Sequence, residues 1–277
     1  MIMSASRRTD IPSCHAQWFM ERVREGTVQV SDPMNPKQTR LLELSPEAVD
    51  CIVFWTKDPH PLLPFLDELD ARGFRYYFQF TLTPYGRTIE PNLRPKREIL
   101  RTFLALSARL GPERVCWRYD PVILNRDLDE AYHLSAFEKL CRVLSGRTKS
   151  CTISFVDYYQ KLRRKYENGL LRTILPEEMK RIASGFVRAA VPHGIAVRAC
   201  CEQIDLSSCG VLPASCIDLQ LAEKCAGHTI QIPQDKNQRP LCNCAASIDI
   251  GSYDTCSHGC VYCYANKMNK RQLKRGA

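Results

Sequence analysis

Short β-rich runs alternate along this chain with longer stretches whose apolar residues recur at helical spacing. The runs are "MIMSAS" (1–6), "CIVFWT" (51–56), "RYYFQFTLT" (75–83), "RVCWRYDPV" (114–122), "SCTISFV" (150–156) and "IAVRAC" (195–200). Each leads through a polar or proline-bearing turn into a helical stretch. In "RPKREILRTFLALSARLG", for example, Ile99, Phe103, Leu104 and Leu110 follow one stripe. "HTIQI" (228–232) is a weaker seventh run, and "TVQV" (27–30) with "RLLEL" (40–44) reads as a hairpin inserted after the first helix. Strands alternating with helices predict βαβ units on a parallel sheet. Near-continuous apolar runs are expected where helices cover the outer face of such a sheet.

No glycine fingerprint follows an early strand and no Walker A sequence is present, which argues against a doubly wound nucleotide-binding sheet. The predicted fold is α/β, a partial TIM-like (β/α) barrel of six or seven strands. Residues 1–235 are assigned to the barrel. Residues 236–277 form a cysteine-rich loop and basic tail packed on it, the two making one structural unit.

Composition changes this picture in one respect. At 277 residues, 44% hydrophobic and 25% charged, the chain can bury a core without disulfide staples. No window is long and apolar enough for a membrane span, and the first six residues are too short for a secretory signal. The reading is a cytoplasmic protein with no membrane partner, in a compartment where thiols stay reduced. Its 15 cysteines then point to metal rather than to disulfides. Cys14, Cys51, Cys116, Cys141 and Cys151 read as buried small hydrophobes, whereas the others crowd into the region from Cys200 onward. The net charge of +9 is partly concentrated in Lys267, Lys270, Arg271, Lys274 and Arg275. That balance is compatible with a polyanionic partner, although a solvated helix ending in a frayed tail is the better explanation of the tail.

Chemistry in a β/α barrel gathers at the C-terminal ends of the strands. Here those ends carry Arg7, Arg8, Thr9 and Asp10, then Thr56, Lys57 and Asp58, then Gln79, Thr81 and Thr83. The later strands add Arg118 and Asp120, Ser154 and Asp157, and finally Arg198, Cys200 and Glu202. Each alone is explained as a turn residue, a cap or an ion pair; "TDIP" is a plausible helix start. Together they describe a polar pocket, with Arg8, Lys57 and Arg118 beside Asp10, Asp120 and Glu202, suited to a zwitterionic or phosphate-bearing ligand. No G-x-S-x-G elbow and no H-E-x-x-H sequence occurs.

The densest chemical signal is "CSHGCVYCYA" (256–265), in which Cys256, Cys260 and Cys263 are spaced Cys-x-x-x-Cys-x-x-Cys. Zinc needs a fourth ligand for a closed site, for which His258 or Cys244 is available. A 4Fe-4S cluster held by three thiolates leaves one iron open to a substrate or cofactor. The loop resembles the signature of radical S-adenosylmethionine enzymes, with the aromatic Tyr262 just before the last cysteine. Its pattern is particularly similar to the spore photoproduct lyase branch. From "SRRTDIP" through "WRYDP" to "CNCAASIDIGSYDTC", the chain resembles a family that carries such a motif near its C-terminal end.

The resemblance implies that Cys256, Cys260 and Cys263 hold a 4Fe-4S cluster whose fourth iron takes the amino and carboxylate groups of S-adenosyl-L-methionine. Reductive cleavage, with electrons from a donor such as flavodoxin or ferredoxin, would give a 5′-deoxyadenosyl radical. The G-G-E type motif that usually holds the cofactor's amino group is missing. Tyr262, Gln79, Thr81, Ser154, Arg8 and Glu202 stand as the candidate cofactor contacts. Lys57, Arg118, Asp120 and Asp10 stand as the candidate catalytic groups.

Cys242 and Cys244 precede the loop as Cys-x-Cys, Cys200 ends the sixth run and Cys216 opens a helix. Four cysteines suit a second iron–sulfur cluster or a structural zinc, with Cys201, Cys209 and Cys225 as alternates. Strand alternation allows only one of Cys200 and Cys201 to face inward. The rival to an enzyme is a zinc-binding nucleic-acid protein in which "CNC…CSHGCVYC" is a structural knuckle. That reading leaves the polar strand ends without a role, and the aromatics do not form a stacking array. An electron carrier without substrate meets the same objection. The charge and the loop together suggest a nucleic acid or nucleotide as substrate.

Overall fold

Alternation along the strands divides the molecule into an oily side and a reactive side. The structure, a computed structural model, describes residues 1–266 except Pro33, Met34, Pro36 and Pro240, so the basic tail lies outside the described residues. Its strands are β1 (Ile2–Ala5), β2 (Thr27–Ser31), β3 (Thr39–Glu43), β4 (Cys51–Thr56), β5 (Tyr76–Thr81), β6 (Val115–Val122), β7 (Ser150–Phe155), β8 (Ala196–Ala199), β9 (Leu212–Pro213) and β10 (Ile248–Asp249). The helices are α1 (Ile11–Cys14), α2 (Ala16–Glu25), α3 (Leu66–Ala71), α4 (Lys96–Leu110), α5 (Glu130–Leu144), α6 (Arg163–Glu167), α7 (Pro176–Ala190) and α8 (Leu219–Ala226).

Eight strands form one parallel sheet in the order β10-β1-β4-β5-β6-β7-β8-β9, and β2 pairs antiparallel with β3 as the expected hairpin. From β1 to β9 the order follows the chain without reversal, as in a barrel wall. No pairing joins β9 to β10 among the described residues, so hydrogen bonding leaves the sheet open. The expectation of a parallel α/β sheet holds at eight strands rather than six or seven. The difference lies in β9 and β10, two residues each. "HTIQI" is not a strand. The Ile230 N–H, which a strand would give to a neighbour, goes to Glu223 Oε1 on α8 at 2.9 Å, and only Ile230 of the run is buried.

One face of the sheet carries Met3, Ile52, Phe54, Phe78, Phe80, Trp117, Tyr119 and Ile153 into the main core, against Phe19, Phe103, Phe137 and Phe186 of the covering helices. The stacked pair Phe137–Phe186, with ring centroids 3.9 Å apart, links α5 to α7. Burying each such side chain contributes about 1.5–3 kcal/mol. The other face begins apolar with Ile2, Val53 and Tyr77, where α8 and Cys216–Ile217 pack on it. Towards the C-terminal ends of the strands it turns polar, with Thr81, Arg118 and Ser154 lining a cavity beside Trp55.

Candidate functional site

The cavity at the C-terminal strand ends has a volume of about 460 Å³. Arg8, Asp10, Lys57, Thr81, Arg118, Asp120, Ser154, Glu202 and Tyr262 line it, as do Cys256, Cys260, Cys263, Cys200, Cys216, Cys242 and Cys244. Gln79 does not. It is buried behind the wall, donating from Nε2 to the Cys216 carbonyl at 2.8 Å, which makes it a backbone support rather than a cofactor contact.

The signature loop is moored from three sides. Asp249, at the end of β10, accepts from Ser4 Oγ (2.8 Å), Ser6 Oγ (2.6 Å) and the Arg7 N–H (2.8 Å), tying the entry of the loop to the end of β1. Gly251 follows because nothing larger fits, since a Cβ there would meet Ser6 Oγ at 2.0 Å. Asp10 holds the middle. One oxygen caps α1 through the Ser13 N–H at 3.0 Å, and the other takes the Lys57 N–H at 2.7 Å and faces His258 Nε2 at 2.8 Å. Expected among the reacting groups, Asp10 is thus fully engaged as a positioning residue. On the third side Val261 N–H donates to the Ile89 carbonyl at 3.0 Å and the Asn92 side chain to Ser257 O at 2.7 Å.

Sequence reasoning missed Glu90. Its side chain is fully buried and accepts from Lys57 Nζ at 2.9 Å, from Thr83 Oγ1 at 3.0 Å, and from Lys96 and the Tyr262 hydroxyl. Burial alone would raise its pKa, but Lys57 and Lys96 overcome that and hold it at about 2. Burial likewise opposes the Lys57 charge, and Glu90 with the nearby Cys260 reverses the effect, leaving the ammonium harder to deprotonate than usual. A cation is therefore fixed beside Cys260, with Lys57 Nζ 5.3 Å from the Tyr262 ring centroid.

Further along the wall Arg118 lies 5.1 Å from the Trp55 ring centroid, with Nε 3.1 Å from Asp120 Oδ2 and Nη1 3.0 Å from Cys216 Sγ. Burial raises the Asp120 pKa, but Arg118 and the Ser154 hydroxyl outweigh it, so Asp120 stays ionised more readily than a free carboxyl. Glu202 behaves oppositely. Burial pushes it up to about 7 although it accepts the Phe155 N–H at 2.9 Å. It is a carboxyl able to give or take a proton near neutrality.

Two cysteine findings depart from expectation. Cys51, Cys141 and Cys151 are buried as expected, but Cys14 is not a core residue. Its sulfur lies within 4.8 Å of ligand atoms of Cys256 and His258, and the contact with Cys256 pulls its pKa down. Cys200 and Cys201 both line the cavity, because Cys201 takes a left-handed φ of 55° and breaks the alternation after β8. Burial pushes the Cys260 thiol up to about 12, with Lys57 pulling the other way.

Comparison with known proteins adds the following. A family model described as a domain of unknown function, DUF1848, matches residues 2–265. No curated protein matches the chain. The chain is similar to a solved structure of spore photoproduct lyase complexed with dinucleoside spore photoproduct, at 19% identity and a TM-score of 0.39, over 53% of this chain and 50% of that one. The likeness therefore spans about half the length of that structure.

Proposed function

The chain belongs to the DUF1848 family, and from that premise we propose a radical S-adenosylmethionine-like iron–sulfur enzyme that works in the strand-end cavity. The observation that carries the reading is that Cys256, Cys260 and Cys263 share one cavity with the charged strand ends. The donor set fits a cluster. Three half-buried thiols come from one loop, Cys263 Sγ accepts the Ala265 N–H at 3.3 Å, and Lys57 supplies positive charge beside Cys260. When bound, the cluster and S-adenosyl-L-methionine supply one-electron sulfonium cleavage and a hydrogen-abstracting 5′-deoxyadenosyl radical.

The chain's own residues bind, orient and exclude water. Lys57 and Arg118 offer cations to the cofactor's carboxylate. Asp120, ionised and held by Ser154, offers an acceptor to its amino group, and Thr81 and Arg8 complete the polar lining. Glu202 holds or releases a proton at its carboxyl oxygens. The rings of Trp55 and Tyr262 present dry surface, which a reactive intermediate needs. We read residues 1–235 and 236–277 as one unit because β10 joins the sheet of β1. The substrate class we favour is a nucleotide or nucleic acid, on the strength of cationic Arg8 and Arg239 with Tyr159 and Tyr264 in the cavity lining. The electron donor we favour is a flavodoxin or ferredoxin. Among the described residues, no helix is long and apolar enough to cross a membrane.

One observation favours a second reading, a zinc site. Cys14, Cys256 and His258 lie close enough for one ion, and Asp10 holds His258 Nε2 as a carboxylate orients a metal-bound histidine. Protein purified without oxygen and reconstituted with iron and sulfide separates the two. Iron with matching sulfide, together with S-adenosyl-L-methionine cleavage that depends on Cys256, supports the enzyme. Stoichiometric zinc without sulfide, lost on Cys14→Ala or His258→Ala, supports the zinc site and overturns the cluster.

A further inference from the structure

The second group of cysteines is assembled from three separate segments. Cys200 follows β8, Cys216 precedes α8, and Cys242 and Cys244 precede β10. Cys216, Cys242 and Cys244 are 4%, 5% and 1% exposed, so two of the three segments bring their sulfurs inside, while Cys200 is half-buried. Cys200 Sγ and Cys216 Sγ are 3.0 Å apart. Backbone contacts fix this convergence. Tyr77 Oη and Gln79 Nε2 donate to the Cys216 carbonyl at 3.2 and 2.8 Å, and the Ala245 N–H donates to the Ile217 carbonyl at 3.0 Å.

Core cysteines acting as small hydrophobes need apolar neighbours and no donors. These sulfurs have donors. Cys244 Sγ accepts the N–H groups of Cys216 and Ile217 at 3.2 and 3.3 Å, and the Arg118 guanidinium approaches Cys216 Sγ at 3.0 Å. N–H donors and a buried cation aimed at sulfur are what thiolates require. All four sulfur-bearing residues also open onto the cavity shared with the signature loop, whereas a structural zinc site is closed on itself.

We propose that Cys200, Cys216, Cys242 and Cys244 hold a second iron–sulfur cluster on another wall of the same cavity. The assignment goes beyond the function proposed for the signature loop and does not depend on it. Cys201, whose sulfur is 3.8 Å from that of Cys200, is a fifth thiol beside the set rather than a ligand. Arg118, which joins Cys216 to Asp120, is the link between this cluster and the polar wall of the cavity.

The test uses the full chain, prepared without oxygen and reconstituted with iron and sulfide. With two 4Fe-4S clusters, the wild type carries about eight iron and eight sulfide, and the Cys256→Ala/Cys260→Ala/Cys263→Ala variant keeps about four of each. The Cys216→Ser/Cys244→Ser variant, with its signature loop intact, loses half of the iron, and the reduced wild type gives two electron paramagnetic resonance signals where each variant gives one. A triple variant that folds, by circular dichroism, but holds no iron overturns the proposal. So does one equivalent of zinc without sulfide in that variant, a Cys200–Cys216 disulfide found by thiol counting, or undiminished iron in the double-serine variant. If instead the signature loop holds no cluster, the triple substitution leaves iron unchanged while the double one removes it, so the two readings fail separately.

Discussion

The two cysteine groups reach the same cavity by opposite routes. Cys256, Cys260 and Cys263 lie within eight consecutive residues, and the fold's task is to hold a ready-made loop in place. Asp249, Asp10, Asn92 and Glu90 do this from outside the loop. Cys200, Cys216, Cys242 and Cys244 have no shared segment, and only the packing of α8 and the 233–246 stretch on the inner sheet face brings them together. The first group should therefore be chemically essential but structurally dispensable. The second should couple chemistry to folding.

Substitutions can break this contrast, and the largest effect is expected at the loop. Cys256→Ala/Cys260→Ala/Cys263→Ala should bring S-adenosyl-L-methionine cleavage to background while moving the thermal midpoint little; a collapse of the midpoint would erase the distinction between the groups. Next comes Glu90→Ala, which strands Lys57 and Lys96 around an empty buried site and should cost about 3–5 kcal/mol in urea unfolding. Iron held at the second cysteine group should survive that change, because no contact of Glu90 reaches it. Smaller again is a pH effect at Glu202. Its folded pKa of about 7 lies above the ordinary 4.5, so its contribution to stability is complete below about pH 4.5 and is lost as pH rises through 7. Glu202→Gln should flatten the pH dependence of the urea-unfolding free energy across that window by about 1–2 kcal/mol, the shift being discounted for partial solvent screening. The smallest effect belongs to Cys14→Ala, which under the cluster reading leaves iron, sulfide and cleavage at wild-type levels.

Legibility followed how local each signal is. β4 reads directly from "CIVFWT" because its first five residues are apolar and Cys51 to Phe54 are buried on both faces. β9 and β10 were invisible, since two residues cannot display an alternation. The polar strand ends could be read one by one, and their meeting in one cavity follows from parallel strands sharing a register, as Thr81 with Arg118 does. "TDIP" marked Asp10 as a helix cap, which the structure bears out, but nothing nearby in sequence announced its contact with His258. Glu90 gave no signal at all. It stands in a loop as an ordinary surface acid would, and becomes central only when Lys57, Lys96, Thr83 and Tyr262 close around it. Cys14 misled for the same reason, since its partner stands some 240 residues away.

The clamp of Asp249 on Ser4 joins residues 245 positions apart in the chain. On a ribosome, β1 emerges long before the segment that completes its edge, and waits with an unpaired strand side while every intervening βα unit folds. Loop closure over that distance is slow relative to local helix and turn formation. The three cysteines after β10 are thus presented only after nearly all of the remaining described fold exists. A chain that misfolds midway never brings Cys256, Cys260 and Cys263 to the strand-end cavity.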